Sequence, residues 1–262
     1  MSVYAGDQLA QLEASLESLC SQTHKADIFI QQDGRLLPEV GAYLDQEFDA
    51  GRIVYLGKRE ENRGLAFSLN ELLRLVLPNY HYIVRMDADD ISVPDRIAQQ
   101  YDFMQKHPQV DVTGGAIEEF SDDGSYHKVV RYPQTHEAMY RFFAKRVPLA
   151  HVTAFFRKSF FERAGLYPVE SPTNEDTLLW MKGFEGGCRF ANIPELVVRV
   201  RVSSDFFSRR GGWRKAWSDF KDRVKVIQTL GYNFYSYIYA AGLLLVNISP
   251  GFIKRIMYQR LR

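Results

Sequence analysis

Three carboxylates stand within four residues at Asp87-Ala88-Asp89-Asp90, directly after the strand-like run Tyr82-Ile83-Val84-Arg85-Met86. Carboxylates this close repel one another, so a strand end is a poor place for them without a cation. Oxygen-only ligands on a loop suit Mg2+ or Mn2+, which take one or two carboxylates together with substrate phosphates. A solvated acidic turn, or a cap for the helix that Pro94 begins, is the competing account. Two other acidic motifs are excluded. A calcium-binding EF-hand loop needs Gly at its sixth position and Glu at its twelfth, where Ser92 and Ala98 stand. An aspartyl-phosphate phosphatase places its nucleophile near the first strand, with Thr or Val four residues on. Here Ile91 has that place, deep in the chain.

Two further stretches bring polar groups to helix starts. Asn62-Arg63-Gly64-Leu65-Ala66 opens a helix that includes Asn70. Gly64 permits close backbone approach, and a basic residue with free amides at a helix start suits a diphosphate. A plain helix start capped by Asn62 accounts for the same residues. Asn174-Glu175-Asp176 opens another helix. Its acids complement the helix dipole, and Asp176 is also pinned on a rigid element, as a general base needs to be. His151, between Ala150 and Val152, reads as a satisfied buried histidine rather than a ligand. Asp122 and Asp123 read as a solvated turn with Gly124.

The elements that must position these residues alternate. Met1 to Tyr4 is the tail of a strand, and Gly6-Asp7 open a helix through Cys20 with Leu9, Leu12, Leu16 and Leu19 as its stripe. Strands follow at Ile28–Ile30, stopping at the turn Gln31-Gln32-Asp33-Gly34, and at Ile53–Leu56. A helix runs from Leu65 to Leu77 and ends at Pro78; a strand at Tyr82–Met86 leads to the acids, and a helix runs from Pro94 to Met104. Such alternation predicts an α/β fold with a mostly parallel central sheet and helices on both faces. Ligands then bind beyond the carboxyl ends of strands, where Asp33 and Asp87 to Asp90 lie. From Val112 the pattern is mixed, with a hairpin turn at Ser121-Asp122-Asp123-Gly124, a helix at Glu175–Gly183 and a strand at Val197–Val202. The expected organisation is one domain over 1–205 and a basic, aromatic helical extension over 206–262.

The chain's 262 residues can bury a sizeable core, and a net charge of +1 gives no electrostatic case for a nucleic-acid partner. Cys20 and Cys188 sit in no metal-ligand spacing and read as free thiols in a reducing compartment. No basic segment followed by an apolar stretch opens the chain, and no apolar run reaches spanning length, so a cytoplasmic protein is expected.

The order Ser2-Val3-Tyr4, Gln32-Asp33-Gly34, Asn62-Arg63-Gly64, Asp87-Ala88-Asp89-Asp90, Glu175-Asp176 and Arg209-Arg210 resembles that of the family 2 glycosyltransferases over about residues 1–210. The resemblance implies the GT-A fold and an inverting transfer from a nucleotide-sugar, by analogy a UDP-sugar. It implies that Asp33 bonds the pyrimidine base, with Tyr4 beside it. Asp87 and Asp89 match the metal-holding pair on the donor diphosphate, for Mn2+ or Mg2+, with Asp89 as the direct ligand. Asp176 matches the catalytic base, and Arg209 and Arg210 lie where they could steady the departing diphosphate. Glu175 and Trp180 are candidates for the acceptor side, Trp180 as a stacking ring or as a core residue. The acceptor would be a saccharide or a lipid-linked saccharide in cell-surface polysaccharide assembly. The chain departs from the family at Gln32, which leaves one of two usual acidic positions neutral. Its first strand is also short, as though apolar residues preceded Met1.

In the C-terminal region Arg209, Arg210, Arg214, Lys215, Lys221, Arg223 and Lys225 interleave with Trp213 and Trp217, followed by an apolar, aromatic stretch from Phe234 to Ile248. This suits an in-plane helix on the inner membrane face, or a helical pair packed on the core with a solvated basic face. A silent nucleotide-sugar-binding protein is the rival from another class. A sugar nucleotidyltransferase is disfavoured, because Tyr4-Ala5-Gly6-Asp7 is too short and lacks a basic residue for a triphosphate.

Overall fold

The computed structural model describes residues 1–171, 173–202 and 213–249. Arg209, Arg210 and the basic end beyond Ser249 lie outside the described residues.

The first unit is three parallel strands in spatial order: β1 (Ser2–Tyr4), β2 (Phe29–Asp33) and β3 (Tyr55–Gly57). Helices α1 (Leu9–Cys20) and α2 (Pro38–Asp49) bury Leu12, Leu16, Val40 and Leu44 against Val3, Ile30 and Ile53. Helix α1 starts at Leu9 rather than at Gly6, because the carboxylate of Asp7 accepts from the Tyr4 amide at 2.9 Å and closes a turn first.

After α3 (Leu65–Val76) come β4 (Tyr82–Val84), β5 (Ile91–Ser92), α4 (Arg96–Lys106), β6 (Val112–Phe120) and β7 (His127–Val130). Next are α5 (His136–Phe143), β8 (Phe155–Arg157), α6 (Lys158–Ala164), α7 (Glu175–Glu185) and β9 (Phe190–Arg201). Their strands form a sheet in the order β4-β8-β6-β9-β5, with β7 on β6 as a hairpin.

The α/β architecture is as expected, but the sheet is mixed. Among the described residues three pairings are parallel and four antiparallel. The antiparallel share comes from β5, β7 and β8, two to four residues each, too short to show an alternation in sequence. The long strand β9 starts at Phe190, seven residues before its predicted start, and runs parallel to β6.

The main core gathers Phe143, Phe156, Phe160, Trp180 and Phe190 between this sheet and helices α5 to α7. Two C-terminal helices, α8 (Trp213–Thr229) and α9 (Phe234–Ile248), follow. Val226 of α8 belongs to that same core, and the Tyr140 hydroxyl donates to the Leu230 carbonyl at 2.5 Å. Of the two arrangements expected for this region, packing on the core is thus present.

Candidate active site

The carboxyl ends of β1 and β2 place Tyr4 opposite Asp33. Tyr4 is 43% exposed, and Gly6 leaves room for its ring, since any Cβ there would run into it. Asp33 is buried. Its two carboxylate oxygens accept from the amides of Arg63 at 2.8 Å and Gly64 at 2.9 Å, and it forms an ion pair with Arg59. Arg59 also bonds Ser68 at 2.8 Å and pairs with Glu71.

Gly64 caps helix α3 at φ 90°, a conformation that disfavours any side chain. Two amides at this helix start, expected to meet a diphosphate, therefore meet the chain's own Asp33. Asp33 anchors the 59–64 loop. The exposed Arg63 guanidinium lies 3.4 Å over the Phe67 ring, a cation–π contact.

The three acids after β4 divide their work. Asp90 is buried and accepts from the Arg201 amide at 2.9 Å, tying the end of β9 to the acidic loop. Arg201 also donates to the Asp89 carbonyl at 3.0 Å. Asp87 forms an ion pair with the buried Arg85, and its carbonyl accepts from Ser15 at 2.8 Å. Asp89 is half-buried; burial and the neighbouring Asp87 hold its carboxyl above the ordinary range. Asp7 is pushed up to about 7, first by burial and then by Asp89 and Asp87. Raised carboxyls around one loop signal negative charge that a cation would relieve.

Among the described residues no three ligating side chains converge on one point. Asp89 and Asp87 nevertheless fit a hard divalent ion that takes one or two carboxylates and completes its shell with phosphate and water.

Two fully engaged polar side chains hold this loop from behind, and the sequence reading missed both. Arg96 is buried; its guanidinium donates to the carbonyls of Arg85 and Val152, each at 2.8 Å, and to Gln100 at 3.0 Å. Gln100 in turn donates to the Thr153 carbonyl at 2.8 Å. Together they lock the end of β4 to the His151–Thr153 turn. Polar residues on a helix are ordinarily taken for its wet face, so only the Arg-x-x-x-Gln spacing hinted at an inward pair.

Across the site, Asp176 sits in the first turn of α7 and accepts from the Thr177 amide at 2.6 Å. Glu175 is buried, with Oε2 unpartnered, and burial together with Asp176 pushes its carboxyl up to about 7. The loop before α7 is fastened by α8. Asn174 donates to Asp219 at 2.9 Å and to Asp222 at 2.8 Å, and Ser171 donates to Asp222 at 2.7 Å. Nothing in the local sequence pointed to these two aspartates, which lie more than forty residues away. His151 accepts from or donates to the Tyr167 hydroxyl at 2.7 Å; burial, then Arg85, holds its pKa well below the usual imidazole range. It is a satisfied histidine, as expected.

Trp180 requires a correction. It is fully buried, ringed by Phe156, Phe160 and Phe190, and offers no face for stacking on a sugar. Asp122 is exposed in its turn, as expected, and also pairs with Arg201.

Asp87 and Asp176, 89 residues apart in sequence, line one cavity of about 630 Å³. The cavity also takes in His151, Arg223 of α8 and Leu243 and Leu244 of α9.

The profile described as Glycosyl transferase family 2 matches residues 3–165. An uncharacterized glycosyltransferase of Haemophilus influenzae is 33% identical over 267 residues, covering 99% of this chain and 96% of that one. The amylovoran biosynthesis glycosyltransferase AmsE of Erwinia amylovora is 32% identical over 214 residues, 81% of this chain and 79% of that one. Among solved structures, the mannosyltransferase PcManGT of Pyrobaculum calidifontis, in complex with GDP-Man and Mn2+, matches with a TM-score of 0.63. At 16% identity, over 99% of this chain and 79% of the other, that likeness is one of GT-A fold.

Proposed function

Because the chain belongs to glycosyl transferase family 2, we propose that it moves a sugar with inversion from a UDP-sugar to a saccharide or lipid-linked saccharide in cell-surface polysaccharide assembly. The observation that carries this reading is the cavity shared by Asp87 and Asp176, which puts one of the donor-phosphate acids and a candidate base around one space. The polysaccharide assignment follows the amylovoran relative.

Asp176 takes the acceptor hydroxyl proton as the hydroxyl oxygen attacks the anomeric carbon and the bond to the diphosphate breaks. Asn174, clamped by Asp219 and Asp222, fixes the helix start that carries this carboxylate. Asp87 and Asp89 would hold Mn2+ or Mg2+, which supplies neutralisation of the charge that builds on the departing diphosphate. Arg85 orients Asp87. Tyr4 packs beside the base that Asp33 bonds, and Asp33 also fixes the loop that presents Arg63 and Gly64. Arg209 and Arg210 are assigned to the departing diphosphate, and Glu175 to the acceptor side.

A thermal-shift series with UDP, GDP and their sugars, with and without Mn2+, tests the reading. A donor that binds the native state raises its apparent stability by mass action. UDP-sugars are expected to stabilise the chain only with the metal. Equal shifts without Mn2+, or none with any nucleotide, would remove the metal-held donor.

No helix among the described residues is long and apolar enough to cross a membrane. Peripheral contact with the inner membrane face is part of the proposal. Its support is the outer surface of α8 and α9, where Trp213, Phe234, Tyr235, Ile238 and Leu245 are each more than half exposed. Co-sedimentation with anionic liposomes is expected for the wild-type chain and not for a Phe234→Ser, Ile238→Ser, Leu245→Ser variant. A wild-type chain left in the supernatant ends this part.

A further inference from the structure

The Tyr167 hydroxyl satisfies one ring nitrogen of His151, Nε2, at 2.7 Å. The other nitrogen, Nδ1, bonds nothing among the described residues, and it is not one of the buried polar atoms sealed off without a partner. The half-buried ring lines the active-site cavity, so Nδ1 is the polar atom it has left to offer there.

The partner hydroxyl decides what that atom carries. Tyr167 is buried, and among the described residues its hydroxyl bonds nothing besides His151. Were Nε2 the donor, the Tyr167 O–H would be buried without an acceptor, which folded chains avoid. The hydroxyl therefore donates to Nε2. Burial keeps both groups neutral, raising the pKa of Tyr167 and, together with Arg85, holding that of His151 well below the usual imidazole range. A neutral imidazole that accepts at Nε2 carries its proton on Nδ1. Nδ1 then has no lone pair for a metal or for a substrate proton, and it acts only as a hydrogen-bond donor.

The surroundings of the ring indicate the acceptor. Arg96 donates to the carbonyls of Arg85 and Val152, each at 2.8 Å, which fixes the turn carrying His151 to the strand end that leads into Asp87. On its other side the imidazole packs edge-on against Trp180, with ring centres 6.1 Å apart, and Trp180 follows Asp176 by one turn of α7. Asp87, His151 and Asp176 all line the one cavity. A sugar whose phosphate is held at Asp87 and Asp89, and whose anomeric carbon faces a hydroxyl at Asp176, extends over the stretch between them, where His151 lies.

We propose that His151, fixed by Tyr167 in the tautomer with its proton on Nδ1, donates a hydrogen bond to a hydroxyl of the transferred sugar and so takes part in selecting the donor. The proposal rests on the glycosyl-transfer reading of the cavity and adds a contact to the sugar rather than to the nucleotide. A donor without an oxygen at that place leaves the N–H unpaired, which is how a polar pocket rejects such an analogue.

The test uses the full chain. Calorimetry with Mn2+ compares UDP with UDP-glucose, UDP-galactose and UDP-N-acetylglucosamine. His151→Phe is expected to weaken the tightest of the three sugar donors about five- to tenfold, the scale of one hydrogen bond, while UDP binds as before. Tyr167→Phe, which frees the proton to move to Nε2, is expected to weaken the same donor by a smaller factor. Long-range proton–nitrogen NMR on histidine-labelled protein, with Mg2+ in place of paramagnetic manganese, reads the tautomer directly. The His151 signal, identified by its loss in the variant, should show the proton on Nδ1 and shift with the UDP-sugar but not with UDP. A proton on Nε2, an unchanged UDP-sugar affinity in His151→Phe, or equal weakening of UDP and UDP-sugar each overturns the contact. Should His151→Phe not fold, Tyr167→Phe carries the comparison, and an unchanged UDP-sugar affinity there overturns it as well. Failure of the wild-type chain to bind UDP with a metal would instead strike the glycosyl-transfer reading, and is thereby distinguishable.

Discussion

Replacing Glu175 with Gln should stabilise the protein at alkaline pH and leave it nearly unchanged at pH 5. Glu175 is 9% exposed, its Oε2 has no hydrogen-bond partner, and Asp176 stands beside it. Burial first, then that neighbour, moves its pKa from 4.5 to about 7. Below 4.5 the group is protonated in both the folded and unfolded chain. Between 4.5 and about 7 the folded chain keeps a proton that the unfolded chain releases, so stability falls as pH rises through this window. At ~1.4 kcal/mol per pH unit, the interval amounts to about 3 kcal/mol lost by pH 8. A neutral Gln amide does not titrate, and whatever its packing costs is the same at every pH. The wild type and Glu175→Gln, unfolded thermally without metal at pH 5 and pH 8, isolate the term. At about 2–4 °C per kcal/mol for a chain of this size, the variant's advantage in Tm should grow by roughly 6–12 °C between the two pH values. An advantage that is the same at pH 5 and pH 8 would refute the claim that an ionised, desolvated carboxylate sits there.

Three further outcomes follow from the site. Asp176→Asn should lower kcat by about 10²–10⁴-fold, the usual contribution of a positioned base, while calorimetry shows UDP binding retained. Asp89→Ala should lose both donor affinity and the response of activity to Mn2+, read by titrating the metal at fixed donor. Asp222→Ala removes the acceptor of hydrogen bonds from Ser171 and Asn174. It should cost about 1.5–3 kcal/mol in urea unfolding and lower kcat with little change in the donor KM, whereas loss of stability alone would show that α8 does not position Asp176.

The sequence exposed the parts of the molecule whose physics is local. Leu12 and Leu16 at helical spacing, Pro78 after α3, and acids at the start of α7 each specify an element within a few residues, and each element is present. The carboxylates proposed to hold the metal were visible because charge at a strand end is conspicuous. What sequence reading missed depends on distant partners. Helix α2 escaped notice because its few buried positions, among them Val40 and Leu44, lie in an otherwise polar stretch. The mixed pairing of the larger sheet rests on β5, β7 and β8, of which β8 is three residues in a run of aromatics equally suited to a helix. Trp180 was ambiguous since α7 is buried on nearly every side, Leu178, Leu179 and Met181 included, so spacing distinguishes no outer face. The ion pair that Asp33 makes with Arg59 was not legible, because its partner lies twenty-six residues later. Arg96, Gln100, Asp219 and Asp222 are polar side chains whose roles exist only once the chain has folded.

Crystals soaked with Mn2+ and UDP, with data collected at the manganese edge, test the central claim most directly. An anomalous peak bonded to Asp89, with or without Asp87, and bridged to the UDP phosphates is the result expected. UDP bound with no manganese at the end of β4, or manganese held elsewhere in the cavity, would contradict it.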